Sequence, residues 1–232
     1  MTLSHLQIQK DLVRELESAL AADPSRTTLA PMKSDFATSK ERSLGAISFL
    51  SSDILSQIRE KVQDPLQSAD PLQYHFPTTS LHITIKNIRA LHYPPRISSS
   101  DIQKAHTVLA ETIPSYPPPQ FHLEEVVIFP TSIALMAYAE EGHIKLIHEL
   151  DDKLSQAGIP DDKKYFSKDI CWANITICRF THPPTPQLIT TAKSMRHLKV
   201  SNMQMDETEL LTCNEVCDPR SREVWGTYHF RG

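Results

Sequence analysis

The sequence predicts an α+β fold made of two similar halves, and three observations carry that expectation. Segments with apolar residues at every second position alternate with segments at helical spacing. The order of those segments repeats approximately at half length. One strand in each half holds a similar short motif, Ser80-Leu81-His82-Ile83-Thr84-Ile85-Lys86 and Trp172-Ala173-Asn174-Ile175-Thr176-Ile177-Cys178. With 40% hydrophobic and 22% charged residues among 232, the chain has enough apolar material for a sizeable core and too few charges for wholesale disorder.

From Ser4 to about Ala22, Leu12, Leu16 and Leu20 recur at helical spacing behind a serine cap, with Val13 and Ala19 beside them. Lys10, Arg14, Glu15 and Glu17 mix both signs on the polar face, so the apolar stripe is expected to pack on the parent domain and not on a membrane. Residues 23–42, rich in Pro, Ser and Thr without a period, read as a connecting segment. The expected division is therefore 1–42 as an N-terminal helix and connector, and 43–232 as the main domain. Within that domain Leu44–Leu50 suits a strand, Ser52 to about Val62 a helix through Ile54, Ile58 and Val62, Leu81–Ile88 a strand, and Ser100–Ile113 a helix behind a serine cap. Phe121–Phe129 and Ser132–Ala139 read as strands around Pro130-Thr131, and His143–Ala157 as a helix stopped by Gly158 and Pro160. A strand over Cys171–Phe180, a helix over Pro186–Leu198, and strands around Met203–Cys213 and Glu223–Phe230 complete the chain.

Several function classes are excluded early. The five glycines are too scattered for a dinucleotide fingerprint or a Walker A loop. A net charge of −4 gives no bulk positive field for duplex DNA, so an anionic ligand must be met locally. The start, MTLSHLQIQKDLVREL, has no secretory apolar core and no long apolar run follows, which makes a soluble cytoplasmic protein the expectation. Cys171, Cys178, Cys213 and Cys217 lack paired zinc spacing and are read as reduced structural thiols. His143 and His148, five apart on a helix, do not share a face for a metal.

Strand periodicity puts His82, Thr84 and Lys86 on one face and Leu81, Ile83 and Ile85 on the other, and equally Asn174, Thr176 and Cys178 opposite Ala173, Ile175 and Ile177. These two polar triplets resemble the hallmark of the two-histidine (2H) phosphoesterase superfamily, above all its 2′-5′ RNA ligase-like branch, in which two His-x-Thr/Ser strands lie about this far apart. The resemblance covers residues 43–232. It implies a bilobed fold, with two antiparallel sheets related by a pseudo-two-fold around a central groove and helices outside. It also implies cleavage of 2′,3′-cyclic phosphate or 2′-5′ phosphodiester bonds of nucleotides or RNA ends, without a metal or other cofactor. In such a site one imidazole takes a proton from the attacking oxygen while the other protonates the departing one, which suits a side chain titrating near neutral pH. Threonine hydroxyls hold the non-bridging phosphoryl oxygens.

On this reading His82, Thr84, Asn174 and Thr176 form the catalytic set. Asn174 departs from the pattern, because a carboxamide donates and accepts hydrogen bonds but does not titrate. Three explanations stay open: a degenerate binder of nucleotides or RNA ends, an enzyme for which His82 or another residue suffices, or a replaced or misaligned motif residue. His75, His182 and His229 are the histidines considered for the gap, each against a plain structural role. Lys86 is either a phosphate ligand or a solvated sheet-edge charge. Tyr74, Trp172 and Tyr228 either border the groove as a base-stacking surface or pack in the core. The expected partner is a nucleotide or short RNA, with no duplex DNA and no membrane; the sequence leaves the oligomeric state open.

Overall fold

A computed structural model describes residues 4–167 and 172–231. The expected α+β class holds, with two antiparallel sheets. The strands are β1 (Arg42–Phe49), β2 (Tyr74–His75), β3 (His82–His92), β4 (Gln120–Phe129), β5 (Ser132–Ala139), β6 (Ala173–Arg179), β7 (Lys199–Gln204), β8 (Glu207–Cys213) and β9 (Glu223–His229). The four-stranded sheet runs β3-β1-β8-β9 and the five-stranded sheet β2-β6-β5-β4-β7. The two motif strands, β3 and β6, approach each other where the sheets meet.

The helices are α1 (His5–Ala22), α2 (Ser52–Ile58), α3 (Asp64–Ala69), α4 (Ser99–Thr112), α5 (Glu141–Gln156) and α6 (Pro186–Ser194). Their starts follow local chemistry. Ser4 accepts the Gln7 N–H, Ser98 and Asp101 form a reciprocal capping box, and Thr185 caps α6 with Pro186 in its first turn. Gly158 takes φ 76°, the left-handed conformation that ends α5 without a Cβ clash. The helix expected from Ser52 to Val62 continues through a π-helical turn over Arg59–Gln63 into α3, whose first turn tolerates Pro65. The single strand expected around Met203–Cys213 is two, β7 and β8, one in each sheet, because the chain crosses between sheets at Met205 and Asp206.

Helices α2 to α6 all contribute to one continuous apolar core with Ile83 and Ile85 of β3 and Ile175 and Ile177 of β6. Helix α1 packs elsewhere. Alternate residues of β5 face opposite ways: Ile133, Leu135 and Ala137 enter the main core, whereas Met136 and Tyr138 form a second cluster with Val127 and with Val13 of α1. Burying Val13, Leu16 and Leu20 stabilises the docking by roughly 5–9 kcal/mol before ordering entropy is subtracted. Polar groups fix its position. The Gln9 Nε2 donates to the Ala139 carbonyl (2.7 Å), the Ala139 N–H donates to Gln9 Oε1 (3.1 Å), and Lys10 pairs with Glu124 at 2.8 Å.

Candidate functional site

The motif strands carry the candidate side chains His82, Thr84, Asn174 and Thr176 on the faces opposite the main core. Thr84 is exposed and His82, Asn174 and Thr176 are half-buried, while the isoleucines between them are buried. Register extends these faces across the sheets. Thr84 pairs with Ile47 and Ile47 with Glu209, which pairs with Thr227; His82 pairs with Phe49. In the other sheet Asn174 pairs with Met136 and Thr176 with Ala134.

Strict alternation fails at the same place in both motifs. Ile47 and Ala46, adjacent on β1, pair with Thr84 and Lys86, so Ile85 is an extra residue; Ala134 and Ile133 pair with Thr176 and Cys178, so Ile177 is extra. A bulge therefore follows the threonine in each strand and reverses the faces beyond it. The expectation that Lys86 and Cys178 share the threonines' faces is corrected by these bulges. Cys178 is fully buried in the core, and burial pushes its thiol up to about 12. Lys86 is 3% exposed, with its ammonium 2.5 Å from Asp161 and 2.7 Å from Asp151. Its charge is thus neutralised. Arg179, opposite in parity to Thr176 along a regular strand, is brought by the bulge to the face of Thr176, paired with Ser132 on one side and Tyr74 on the other.

His82 is held in one tautomer. Its Nδ1–H donates to the Ser80 carbonyl at 2.8 Å, which keeps Nε2 out of that bond, and its ring meets Phe49 edge-on at 6.3 Å. The Ser80 support is itself braced. Its hydroxyl donates to the Cys217 carbonyl (3.0 Å), which also accepts from Arg222 Nε (2.9 Å) and Nη2 (2.6 Å), while the same Nη2 donates to the Thr79 carbonyl (2.5 Å). The Arg222 guanidinium stacks over Phe49 at 4.5 Å. Cys217 takes φ 48°, in the left-handed region. A hydrogen bond with Cys213 lowers the Cys217 pKa against the opposing effect of burial, with His82 and Arg222 contributing, and raises that of Cys213. Across the groove Asn174 Nδ2 lies 3.5 Å from Thr176 Oγ1.

The remaining candidates separate cleanly. Tyr74 is half-buried on the Arg179 face, tilted against Phe36 at 5.3 Å and edge-on to Phe76 at 5.5 Å, and burial raises its pKa. Trp172 is half-buried against the α1 cluster, beside Asn174. Tyr228 belongs to the main core: its hydroxyl bonds His106 at 2.8 Å, burial lifts it to about 12, and its register with Thr208 sets it on the face away from His82. The stacking role considered for Tyr228 is thereby removed, because a side chain behind the sheet cannot border the groove. His75 faces the core with Cys178, and His182 lies beyond β6 against Gln73. His229 shares the His82 sheet face three strand spacings away, roughly 14 Å. None of the three stands in for a second imidazole at Asn174.

Two groups come from positions with no periodicity to reveal them, Arg222 and Lys163. Lys163 lies half-buried on the loop after α5, and its Nζ is 5.6 Å from the Tyr165 ring centre. Burial lowers its pKa, as do Arg179 and Lys86, against the pull of Asp161. The N-terminal connector pins this loop: Lys164 N–H donates to Thr28 Oγ1 (3.0 Å), Lys164 Nζ to the Ser25 carbonyl (2.7 Å), and Arg26 covers the Phe166 ring at 4.7 Å. Cys171 lies outside the described residues; Cys178, Cys213 and Cys217 are free thiols. Among the described residues no group of three or more His, Cys, Asp or Glu side chains is placed to hold a metal ion, and no helix is long and apolar enough to cross a membrane.

No family model matches the chain, and no curated protein matches it in sequence. Solved structures do resemble it in fold. TT0787 of Thermus thermophilus matches with a TM-score of 0.62 and 15% identity, over 82% of this chain and 98% of its own. A structure described as a phosphoesterase matches at 0.58 and 14% identity, over 83% and 99%. E. coli LigT complexed with NADP+ matches at 0.56 and 12% identity, over 84% and 100%. LigT complexed with 3′-AMP gives 0.55 at 14% identity, over 83% and 99%. The likeness is one of fold, and roughly a sixth of this chain has no counterpart in these neighbours.

Proposed function

We propose that the chain is a 2H phosphoesterase-like enzyme, a metal-independent phosphodiesterase acting on 2′,3′-cyclic phosphate or 2′-5′ phosphodiester bonds of nucleotides or RNA ends. The observation that carries this reading is the repeated device at the sheet junction. Two strands of like sequence, each bulged just after its threonine, present His82 with Thr84 and Asn174 with Thr176 from faces turned away from the core. The fold shared with a phosphoesterase and with LigT, seen with NADP+ and 3′-AMP, agrees with it.

In this reading the threonine hydroxyls donate to the non-bridging phosphoryl oxygens and stabilise the charge that grows there. His82 Nε2 moves the proton, because Nδ1 is committed to Ser80. Asn174 orients water or phosphate without transferring a proton, so the step it serves forgoes about 10²–10⁴ in rate. A second reading follows from that same residue: a degenerate module that binds nucleotides or RNA ends. One panel separates them. Wild type, His82→Ala and Asn174→His are incubated with 2′,3′-cyclic nucleotides and 2′-5′ oligonucleotides, with and without a chelator. Turnover that His82→Ala abolishes, that Asn174→His raises and that the chelator leaves alone supports the enzyme. Binding with hydrolysis no faster than the His82→Ala control supports the module.

A further inference from the structure

The groove face of the five-stranded sheet is occupied by the chain itself. Met136 and Ala134 are the cross-strand neighbours of Asn174 and Thr176, so Met136 and Tyr138 project to the same side as the candidate site. That is the side on which α1 lies, with Val13 clustered with Met136 and Tyr138, Leu6 and Trp172 each packed against that cluster, and Gln9 bonded to Ala139. Among the described residues, helices α2 to α6 contribute instead to the main core on the opposite face. An extended strand of nucleic acid running outward from Asn174 across this sheet meets a helix in its way.

Charge points the same way. Lys10, Lys86, Arg196 and Arg14 are each paired with a carboxylate. On the other sheet the face that carries Thr84 bears Glu209, with Glu207 two residues earlier on the same strand. Near the motif strands Lys163, Arg179 and Arg222 make no carboxylate contact within 4 Å among the described residues, but Arg222 is committed to the carbonyls of Cys217 and Thr79, and Arg179 Nε donates to the Glu215 carbonyl at 3.0 Å. Lys163, the cation left of these three, matches the single charge of one phosphodiester, whereas a polyanion needs a broader basic track.

We infer that α1 is a built-in wall that limits the substrate to a single small phosphodiester, of the size of a 2′,3′-cyclic mononucleotide, and excludes an RNA strand. The inference rests on the reading above and narrows its substrate class.

The test compares adenosine 2′,3′-cyclic phosphate with a hexaadenylate ending in the same cyclic phosphate, on the full chain. Wild type should turn over the mononucleotide with kcat/KM about tenfold or more above the hexamer. In Gln9→Ala/Lys10→Glu, where the helix loses its bonds to Ala139 and faces Glu124 with a like charge, the gap should close to about threefold. Trypsin cleavage at Arg14 reports release of the helix. Equal kcat/KM in wild type overturns the inference and leaves the phosphodiesterase reading intact; so does an unchanged ratio once the helix is released. Should that variant fail to fold, Asp11→Lys/Glu15→Lys changes only the solvent side of α1. It should raise hexamer turnover several-fold at low salt and leave the mononucleotide unchanged, and no gain overturns the inference. Calorimetric binding of 2′-AMP against a hexamer ending in 2′-phosphate covers the case of no hydrolysis. A tenfold preference for 2′-AMP there keeps the size limit while the catalytic reading fails, and equal binding removes both.

Discussion

Replacing Asp161 by alanine tests whether the loop after α5 is anchored by a buried charge. Its carboxylate accepts from Lys86 Nζ (2.5 Å), Tyr165 hydroxyl (2.6 Å), the Lys163 N–H (2.8 Å) and Asn87 Nδ2 (2.9 Å), and its side chain is 7% exposed. Removing one partner of a buried pair costs about 3–5 kcal/mol, chiefly because the other charge is stranded. Asp151 still touches Lys86 but is 44% exposed, so it offsets part of the loss and places the expectation near the low end, about 3 kcal/mol. In a chain of this length that lowers Tm by about 6–12 °C, measured by circular dichroism at pH 7. Lys86→Met/Asp161→Leu, which removes both charges, should recover much of the loss. Burial acts to raise the Asp161 pKa, but Lys86 and the hydrogen bonds outweigh it and hold the carboxyl below its ordinary value. The folded pKa is therefore depressed. Its contribution is present above about pH 4 and is lost as pH falls through the folded pKa, so the alanine variant should lack that acid limb. A Tm drop under about 2 °C, or a double variant as damaged as the single one, would refute the reasoning.

Three further expectations are independent of that one. Arg222→Met removes the bonds that brace Cys217, Thr79 and, through Ser80, His82; kcat should fall about 10–100-fold with KM little changed, in steady-state assays on a cyclic nucleotide. His143 is buried beside Phe121 with its Nδ1 unpartnered, and burial lowers its pKa to about 4. The unfolded chain thus binds more protons between about pH 6.5 and 4, and stability should fall over that window by up to about 1.4 kcal/mol per pH unit, a slope that His143→Phe removes in urea titrations. Gln9→Ala leaves the Ala139 N–H and carbonyl without their partner and should cost about 2–6 kcal/mol in the same measurement, against less than about 0.5 kcal/mol for the exposed control Glu15→Ala.

The motif strands were legible because alternating isoleucines fix which side of β3 and β6 enters the core, and parity up to each threonine follows from them. It stops there. A bulge leaves no mark in a run such as Thr84-Ile85-Lys86, so simple alternation puts Lys86 and Cys178 on the wrong face. Helix α1 was plain from Leu12, Leu16 and Leu20, but its docking face was not, since the residue that orients it, Gln9, reads as surface. Lys163 and Arg222 lie outside regular elements, where no period marks a functional side chain. Tyr228 is an aromatic on an alternating strand, and composition alone cannot say which side of a sheet it takes.

The Gln9 amide gives the Ala139 peptide what a neighbouring strand would give it, one donor and one acceptor in a fixed spacing. A helix resting on oily side chains alone can creep by a residue or rotate a few tens of degrees at little expense. One keyed to both the N–H and the carbonyl of a single residue cannot move either way without breaking both bonds together. The position of α1 on β5 is therefore set by two hydrogen bonds, and inserting one residue between Gln9 and Val13 should shift the apolar stripe out of step with them.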